Sequence, residues 1–272
     1  MKNPLINASL ACAAVCATLS FSATPALATP SILGPDRREM AENDDGDWSG
    51  ILGVGAGIGP AYSGSSKSKT DPAAYVDIVW RNRVFLSNGG LGVYFVNNAD
   101  WQAGVGVGYS PGRKESDSPR ELRGLGDQDD AANVQGFVTR RTLGIDLGVS
   151  ATYTDGDFGG TQSTLSAAKS FDLSDRVMLI ASVAATYADD DWMNAQYGVT
   201  RRQANRSGLR AFSAKSGFES AEFSLIGVYS LSEHWFAGAE VSTTALLGDA
   251  ADSPITRKDT QSSGLIIIGR TF

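Results

Sequence analysis

Between residues 142 and 154 two series interleave: Leu143, Ile145, Leu147, Val149, Ala151 and Tyr153 are apolar, while Thr142, Gly144, Asp146, Gly148, Ser150, Thr152 and Thr154 are small or polar. A period of two sustained this long predicts an extended strand with one apolar and one wet face. The pattern recurs. Leu52, Val54, Ala56 and Ile58 alternate with Gly53, Gly55, Gly57 and Gly59, and Val177, Leu179, Ala181, Val183, Ala185 and Tyr187 share one parity. Trp101, Ala103, Val105, Val107 and Tyr109 form another apolar face, with an aromatic ring at each end. Shorter or less regular candidates lie at 73–80, 83–86, 91–96, 133–140, 161–171, 218–231, 235–248 and 262–272. Together these make about twelve strands, and the apolar face of each must meet either a second sheet or lipid.

The connections favour lipid. Short turns are expected near 97–100, 141, 172–175 and 232–234, and long polar loops near 60–72, 111–132, 188–216 and 249–261. That rhythm predicts an all-β, antiparallel transmembrane barrel with short periplasmic turns and longer outer loops. Residues 73–90 read as two short strands; a single strand there would put the 111–132 loop on the periplasmic side. Trp101 and Tyr109 stand where a strand would cross two headgroup layers. The chain ends on Phe272 with Ile268 and Ile266 at alternate positions, a terminal pattern common in outer-membrane barrels, from which Arg270 departs. An arginine there can snorkel to the interface.

Composition narrows the setting. Lys2, the apolar stretch from Leu5 to Phe21 and Ala26-Leu27-Ala28 read as a secretory signal over residues 1–28. Both cysteines, Cys12 and Cys16, fall inside it, so disulfides and thiolate metal sites are not expected in the secreted chain. Residues 29–47, with the run Glu42-Asn43-Asp44-Asp45-Gly46-Asp47, read as a disordered periplasmic leader, and 48–272 as the barrel. The formal net charge of -7 becomes -8 without Lys2. An acidic chain lacks the basic footprint of a nucleic-acid binder. Mean hydropathy near zero suits a barrel, whose strands are apolar on one face only. The glycine run at 53–59 is followed by Pro60 and by no helix pattern, so it is not a dinucleotide fingerprint.

Three loop segments carry a family resemblance. They are Gly112-Arg113-Lys114-Glu115-Ser116-Asp117-Ser118-Pro119 continuing through Leu122-Arg123-Gly124-Leu125-Gly126-Asp127; Ser207-Gly208-Leu209 before Phe212; and Leu247-Gly248-Asp249-Ala250-Ala251-Asp252-Ser253-Pro254. With them the chain, from about Trp48 to Phe272, resembles the MipA/OmpV outer-membrane family. The resemblance implies an outer-membrane barrel and, for some members, a scaffolding link to a murein lytic transglycosylase. It implies no catalytic residues.

Candidate chemistry is sparse. The single histidine, His234, falls in a short turn beside Glu233, where a solvated turn residue is the simpler reading. An outer-membrane phospholipase would need serine and histidine together on the outer part of the wall. Asp127, Asp129 and Asp130 lack the glycine and distal glutamate of a calcium loop. Arg113, Lys114, Arg120 and Arg123 suit lipopolysaccharide phosphates, though a charge-mixed surface loop explains them as well. Asp77, Asp146, Glu222 and Glu240 are the expected lumen carboxylates. Gathered together they would favour cations; paired with inward bases they would only prop the wall. Two non-enzymatic functions are therefore expected, without cofactor: an envelope scaffold in contact with outer-membrane lipid, lipopolysaccharide and a murein-remodelling enzyme, or a narrow pore for small cationic solutes.

Overall fold

The structure, a computed structural model, describes residues 47–156 and 159–272; the signal segment, and the 29–47 leader apart from Asp47, lie outside the described residues. Twelve strands follow in order: β1 (Trp48–Pro60), β2 (Ser68–Trp80), β3 (Val84–Ser87), β4 (Gly90–Asn97), β5 (Trp101–Ser110), β6 (Ala131–Thr142), β7 (Ile145–Thr154), β8 (Gly160–Ser174), β9 (Val177–Ala188), β10 (Gly217–Ser230), β11 (Trp235–Leu246) and β12 (Thr260–Thr271). Each pairs with its sequence neighbours, and β12 returns antiparallel to β1, from Ile51↔Thr271 to Ile58↔Gly264. The result is a closed barrel with no outer edge strand. Residues 73–90 are divided between β2 and β3, as two strands rather than one, and the 111–130 loop lies with the other long ones.

The wall is inside out relative to a soluble protein. Leu52, Val54, Val105, Val107, Leu147, Val149, Val241 and Ile266 all point outward and stay exposed. Aromatic side chains border this apolar belt. Trp48, Trp80, Trp101, Trp235 and Phe272 ring the end that carries the short turns, and Tyr109, Tyr153, Tyr187 and Phe218 ring the other. Trp48 and Trp80 lie 6.1 Å apart, and the guanidinium of Arg140 sits 5.0 Å over Trp101. Two aromatic girdles bounding an apolar band are what a barrel in lipid requires. Among the described residues no helix is long and apolar enough to cross a membrane; the strands do so.

One expectation is corrected. Leu143 does not belong to the lipid-facing strand: β6 ends at Thr142, β7 starts at Ile145, and Leu143 and Gly144 are the turn, with φ of 53° and 70°. Positive φ at both positions is the type I′ form of the two-residue hairpin, whose twist matches that of its strands. The turn expected near 141 is therefore shifted, and Leu143 stands 93% exposed at its tip.

At the other rim the loops fold into a cap. The 189–216 loop forms α1 (Asp190–Tyr197) and α2 (Arg201–Ser207), and the last loop forms α3 (Gly248–Asp252). Asp189 caps α1 by accepting from Trp192 N–H; Thr200 and Gln203 make a reciprocal capping box on α2, and Gly208 ends it in the left-handed region. Trp192, Met193 and Tyr197 bury against Ala188, Leu246 and Ala250, while Tyr62, Leu122, Leu125, Val199 and Ile255 form a second apolar cluster. Glu121 then stitches two loops, accepting from Ser65 Oγ at 2.7 Å, from Ser118 Oγ at 3.2 Å and from Ser66 Oγ. Burial pushes its carboxyl up, but the hydroxyls of Ser66 and Ser65, with Tyr62 and Ser118, outweigh that and hold it below its ordinary value.

Two outcomes are expected. Val149→Arg, in mid-belt, should cost about 2–4 kcal/mol of folding into lipid vesicles, against less than about 0.5 kcal/mol for Leu143→Arg in the turn. Urea titration followed by tryptophan fluorescence reads both, and an equal cost would contradict the placement. A carboxyl whose folded pKa is depressed stabilises above its unfolded value, 4.5 for Glu121, and loses that contribution as pH falls through the lower folded one. Pepsin cleavage within 61–67 and 111–130 should therefore rise steeply as pH drops below about 4. Glu121→Gln should flatten this onset, and an unchanged onset would remove Glu121 from the clasp.

Candidate functional site

The four lumen carboxylates all sit on inward parities, yet the wall does not gather them. Asp146, at the periplasmic start of β7, is taken by Arg141 in a two-pronged pair, Nη2 to Oδ2 at 2.8 Å and Nε to Oδ1 at 3.1 Å. Asp77 is buried on β2, opposite Ile51 of β1 and Ser87 of β3. Glu222 and Glu240 lie on adjacent strands: Glu222 faces Thr244, whose hydroxyl donates to it at 3.0 Å, and Glu240 faces Ile226. In barrel order β2 is three strands from β11, and β7 three strands from β10. No ring of charge results, and Asp146 props the wall through its arginine.

The periplasmic half of the interior is filled instead. Ile51, Ile180, Ile226, Val228, Phe236 and Ile267 point inward from β1, β9, β10, β11 and β12 and bury one another. Val79, Phe85 and Tyr94, joined by Phe137, make a second inward cluster, with Phe85 and Tyr94 4.6 Å apart. Inward glycines make room for these rings. A Cβ on Gly92 would meet Phe85 Cζ at 2.2 Å, and one on Gly269 would meet Phe236 Cζ at 2.5 Å. Above the apolar fill comes a polar band, including Gln135, Thr164, Thr186 and Ser224. From the sequence the many inward glycines could equally leave room inside or admit loops or side chains as a plug, although a signal for the fill was there. Val177–Ile180, Leu225-Ile226 and Leu265–Ile268 break the alternation as continuous apolar runs, the mark of strands covered on both faces.

The loop motif residues do come together, as the frame of the cap. Gly112 is required by space, since a Cβ there would fall 1.9 Å from Gln128 O. Arg113 Nη1 donates to Gln196 O at 2.8 Å, and Gln128 Nε2 to Ala195 O at 2.6 Å, so both satisfy carbonyls in the last turn of α1. Asp117 and Asp127 accept from the N–H groups of Lys114 and Glu115. Gly124 and Gly126 take positive φ, and Leu125 is buried with its carbonyl held by Gln203 Nε2. In the last loop Ser253 Oγ donates to Tyr197 O at 2.6 Å, Asp252 O accepts from Arg210, and Pro254 follows. Arg123 is exposed.

Tyr197 is the keystone. Its hydroxyl donates to Glu219 Oε1 at 2.8 Å and lies 2.8 Å from Ser63 Oγ, while Glu219 Oε2 accepts from Gln162 at 2.6 Å. One buried phenol thereby ties the first outer loop and α1 to β10 and β8. Burial, then the nearby Glu219 carboxylate, push its pKa up, so it stays a neutral donor. Burial pulls the Arg113 guanidinium down from its ordinary value. At 8% exposure Arg113 does not reach a lipid phosphate, so that expectation is corrected: it works inside the cap. Asp127 is likewise separated from the hollow of about 350 Å³ that Asp129 and Asp130 share with Asp155, and no group of three metal ligands occurs among the described residues. His234 stands in the β10–β11 turn on the periplasmic rim, where its carbonyl accepts from Thr271 N–H at 2.8 Å.

Solved outer-membrane proteins are similar to the chain at low identity. A NanC porin is 10% identical over 82% of this chain and 100% of that chain, with a TM-score of 0.45. OmpT of Vibrio cholerae is 9% identical over 83% and 97%, with a TM-score of 0.39. The outer membrane channel DcaP of Acinetobacter baumannii is 8% identical over 83% and 96%, with a TM-score of 0.35. No curated protein matches the chain. The family described as MltA-interacting protein MipA matches residues 52–272. Since that span reaches all twelve strands and takes in every loop of the cap, the chain belongs to the MipA family.

Proposed function

We propose that this MipA-family barrel is a non-conducting, non-enzymatic scaffold of the cell envelope, and that its partner is a murein lytic transglycosylase of the kind the family is named for. The observation that carries this reading is the filled lumen: apolar rings occupy the periplasmic half and a packed cap covers the outer mouth. With both ends occupied, the surfaces left for a periplasmic partner are the short turns at 81–83, 98–100, 143–144, 175–176 and 231–234. Cleavage after Ala28 would free the acidic 29–47 leader beside them as a tether. A second reading, a narrow cation path, draws on Glu222 and Glu240, which face inward with no base in ion-pair reach among the described residues.

In planar bilayers the purified barrel is expected to be electrically silent at neutral pH. Discrete steps that shrink in Glu240→Gln would replace the scaffold reading by the pore. In lipid nanodiscs the chain beginning at Thr29 should bind a purified murein lytic transglycosylase saturably, and a chain beginning at Asp47 should bind about fivefold or more weaker, a loss of about 1 kcal/mol. Equal affinities would assign the contact to the turns alone. Absence of saturable binding by either chain would remove the enzyme as partner.

A further inference from the structure

β3 is four residues long, and its shortness leaves a gap in the wall. β2 pairs with β1 from Ser68 to Trp80, but with β3 only from Asp77 to Trp80. Just above that ladder the side chain of Asn88, in the β3–β4 turn, replaces a strand: its Oδ1 accepts from Val76 N–H at 2.7 Å and its Nδ2 donates to Ala74 O at 2.6 Å. The next residue on this edge is Pro72, which has no N–H to leave unpaired. Beyond it Thr70 and Ser68 have no strand partner on that side. The outward side chains of β2 change in step, from Trp80, Ile78, Val76 and Ala74 to Pro72, Thr70 and Ser68. This switch from apolar to polar sets the gap at the height of the outer headgroup layer.

Across the gap stands the 111–130 loop, and between it and β2 lies a groove of about 690 Å³ bordered by Lys67, Ser68, Lys69, Ser116 and Arg120. The carboxylates at its margin are engaged. Asp71 pairs with Lys69 at 3.3 Å, Asp117 accepts from Lys114 N–H at 2.7 Å, and Glu121 is held by the serine hydroxyls of the clasp. Lys67 and Arg120 are exposed, with no carboxylate in ion-pair reach among the described residues. Lys67 and Arg120 are thus the groove's cations left without an ion-pair partner among the described residues, at a level where the surrounding lipid offers phosphate.

We propose that this gap is a lateral slot for the phosphorylated headgroup of an outer-leaflet glycolipid, with Lys67 and Arg120 gripping one phosphate and the free edge of β2 facing the sugar. Arginine and lysine on opposite walls supply a fork and a point charge, and the hydroxyls of Ser68 and Ser116 add neutral donors. The slot is independent of the murein partner, being at the other end of the barrel.

The test compares bisphosphorylated lipid A with the same lipid stripped of phosphate, each bound to the detergent-purified barrel and read by native mass spectrometry. The wild-type chain is expected to retain the phosphorylated form about tenfold better. That preference should collapse in the double variant Lys67→Gln/Arg120→Gln and persist in Arg123→Gln, which changes an exposed arginine outside the groove. Heat-modifiable migration verifies that each variant is folded. Equal retention of the two lipids by the wild type, or an undiminished preference in the folded double variant, overturns the slot. So does displacement of the lipid by millimolar inorganic phosphate, which would make the groove a site for free anions.

Discussion

In hydrocarbon there is no water to satisfy a backbone N–H or C=O, and each one left unpaired costs several kcal/mol. The return of β12 to β1 follows from that constraint, and so does much of the rest. Once every strand is paired on both sides, outward side chains can be apolar and exposed, as Val54 and Val149 are, without inviting another chain to add at an edge. Pairing with the next strand lapses early along the upper edge of β2. There Asn88 imitates a strand, Pro72 removes a donor, and the remaining backbone lies at headgroup level.

Closure in turn creates an interior. Eight strands enclose about as much space as their own side chains fill, while sixteen leave an aqueous channel. Twelve strands lie between, so an interior that is not to leak must be filled on purpose. This barrel does so in two ways. Near the periplasm the filling is hydrophobic, with Phe85, Phe137 and Phe236 lying in spaces vacated by inward glycines. At the outer mouth it is a small folded cap, whose helices are anchored by Tyr197, Arg113 and Ser253 to strand ends and neighbouring loops.

What the sequence disclosed follows the range of the interactions concerned. Alternation at 52–58, 101–109 and 177–187 was legible because each strand is amphipathic by itself, whatever its neighbours are. The β6–β7 turn was misplaced because Leu143-Gly144 lacks the asparagine or aspartate that advertises a two-residue hairpin, and two residues leave the parity of the pattern unbroken. The loop motif was recognised as a signature, but its role was not, since Tyr197 to Ser63 spans 134 residues and Gln162 to Glu219 spans 57. Arg113, read as part of a charge-mixed surface loop that also suited phosphate, proved to be buried against a helix end for the same reason: nothing within the loop itself says that α1 will lie over it.

The two fillings differ in kind, and that difference bears on direction. The periplasmic fill is made of side chains fixed to the wall, so opening it would mean rearranging strands whose ladders cannot be given up in lipid. The cap is made of loops outside the hydrocarbon, held by two small apolar clusters and by hydrogen bonds among serines, a tyrosine and carboxylates that water could replace. Any adaptability therefore belongs to the outer face, while the periplasmic face is rigid. A rigid rim of short turns is poorly suited to gating and well suited to holding a partner at a fixed orientation, because little conformational entropy remains to be lost on binding.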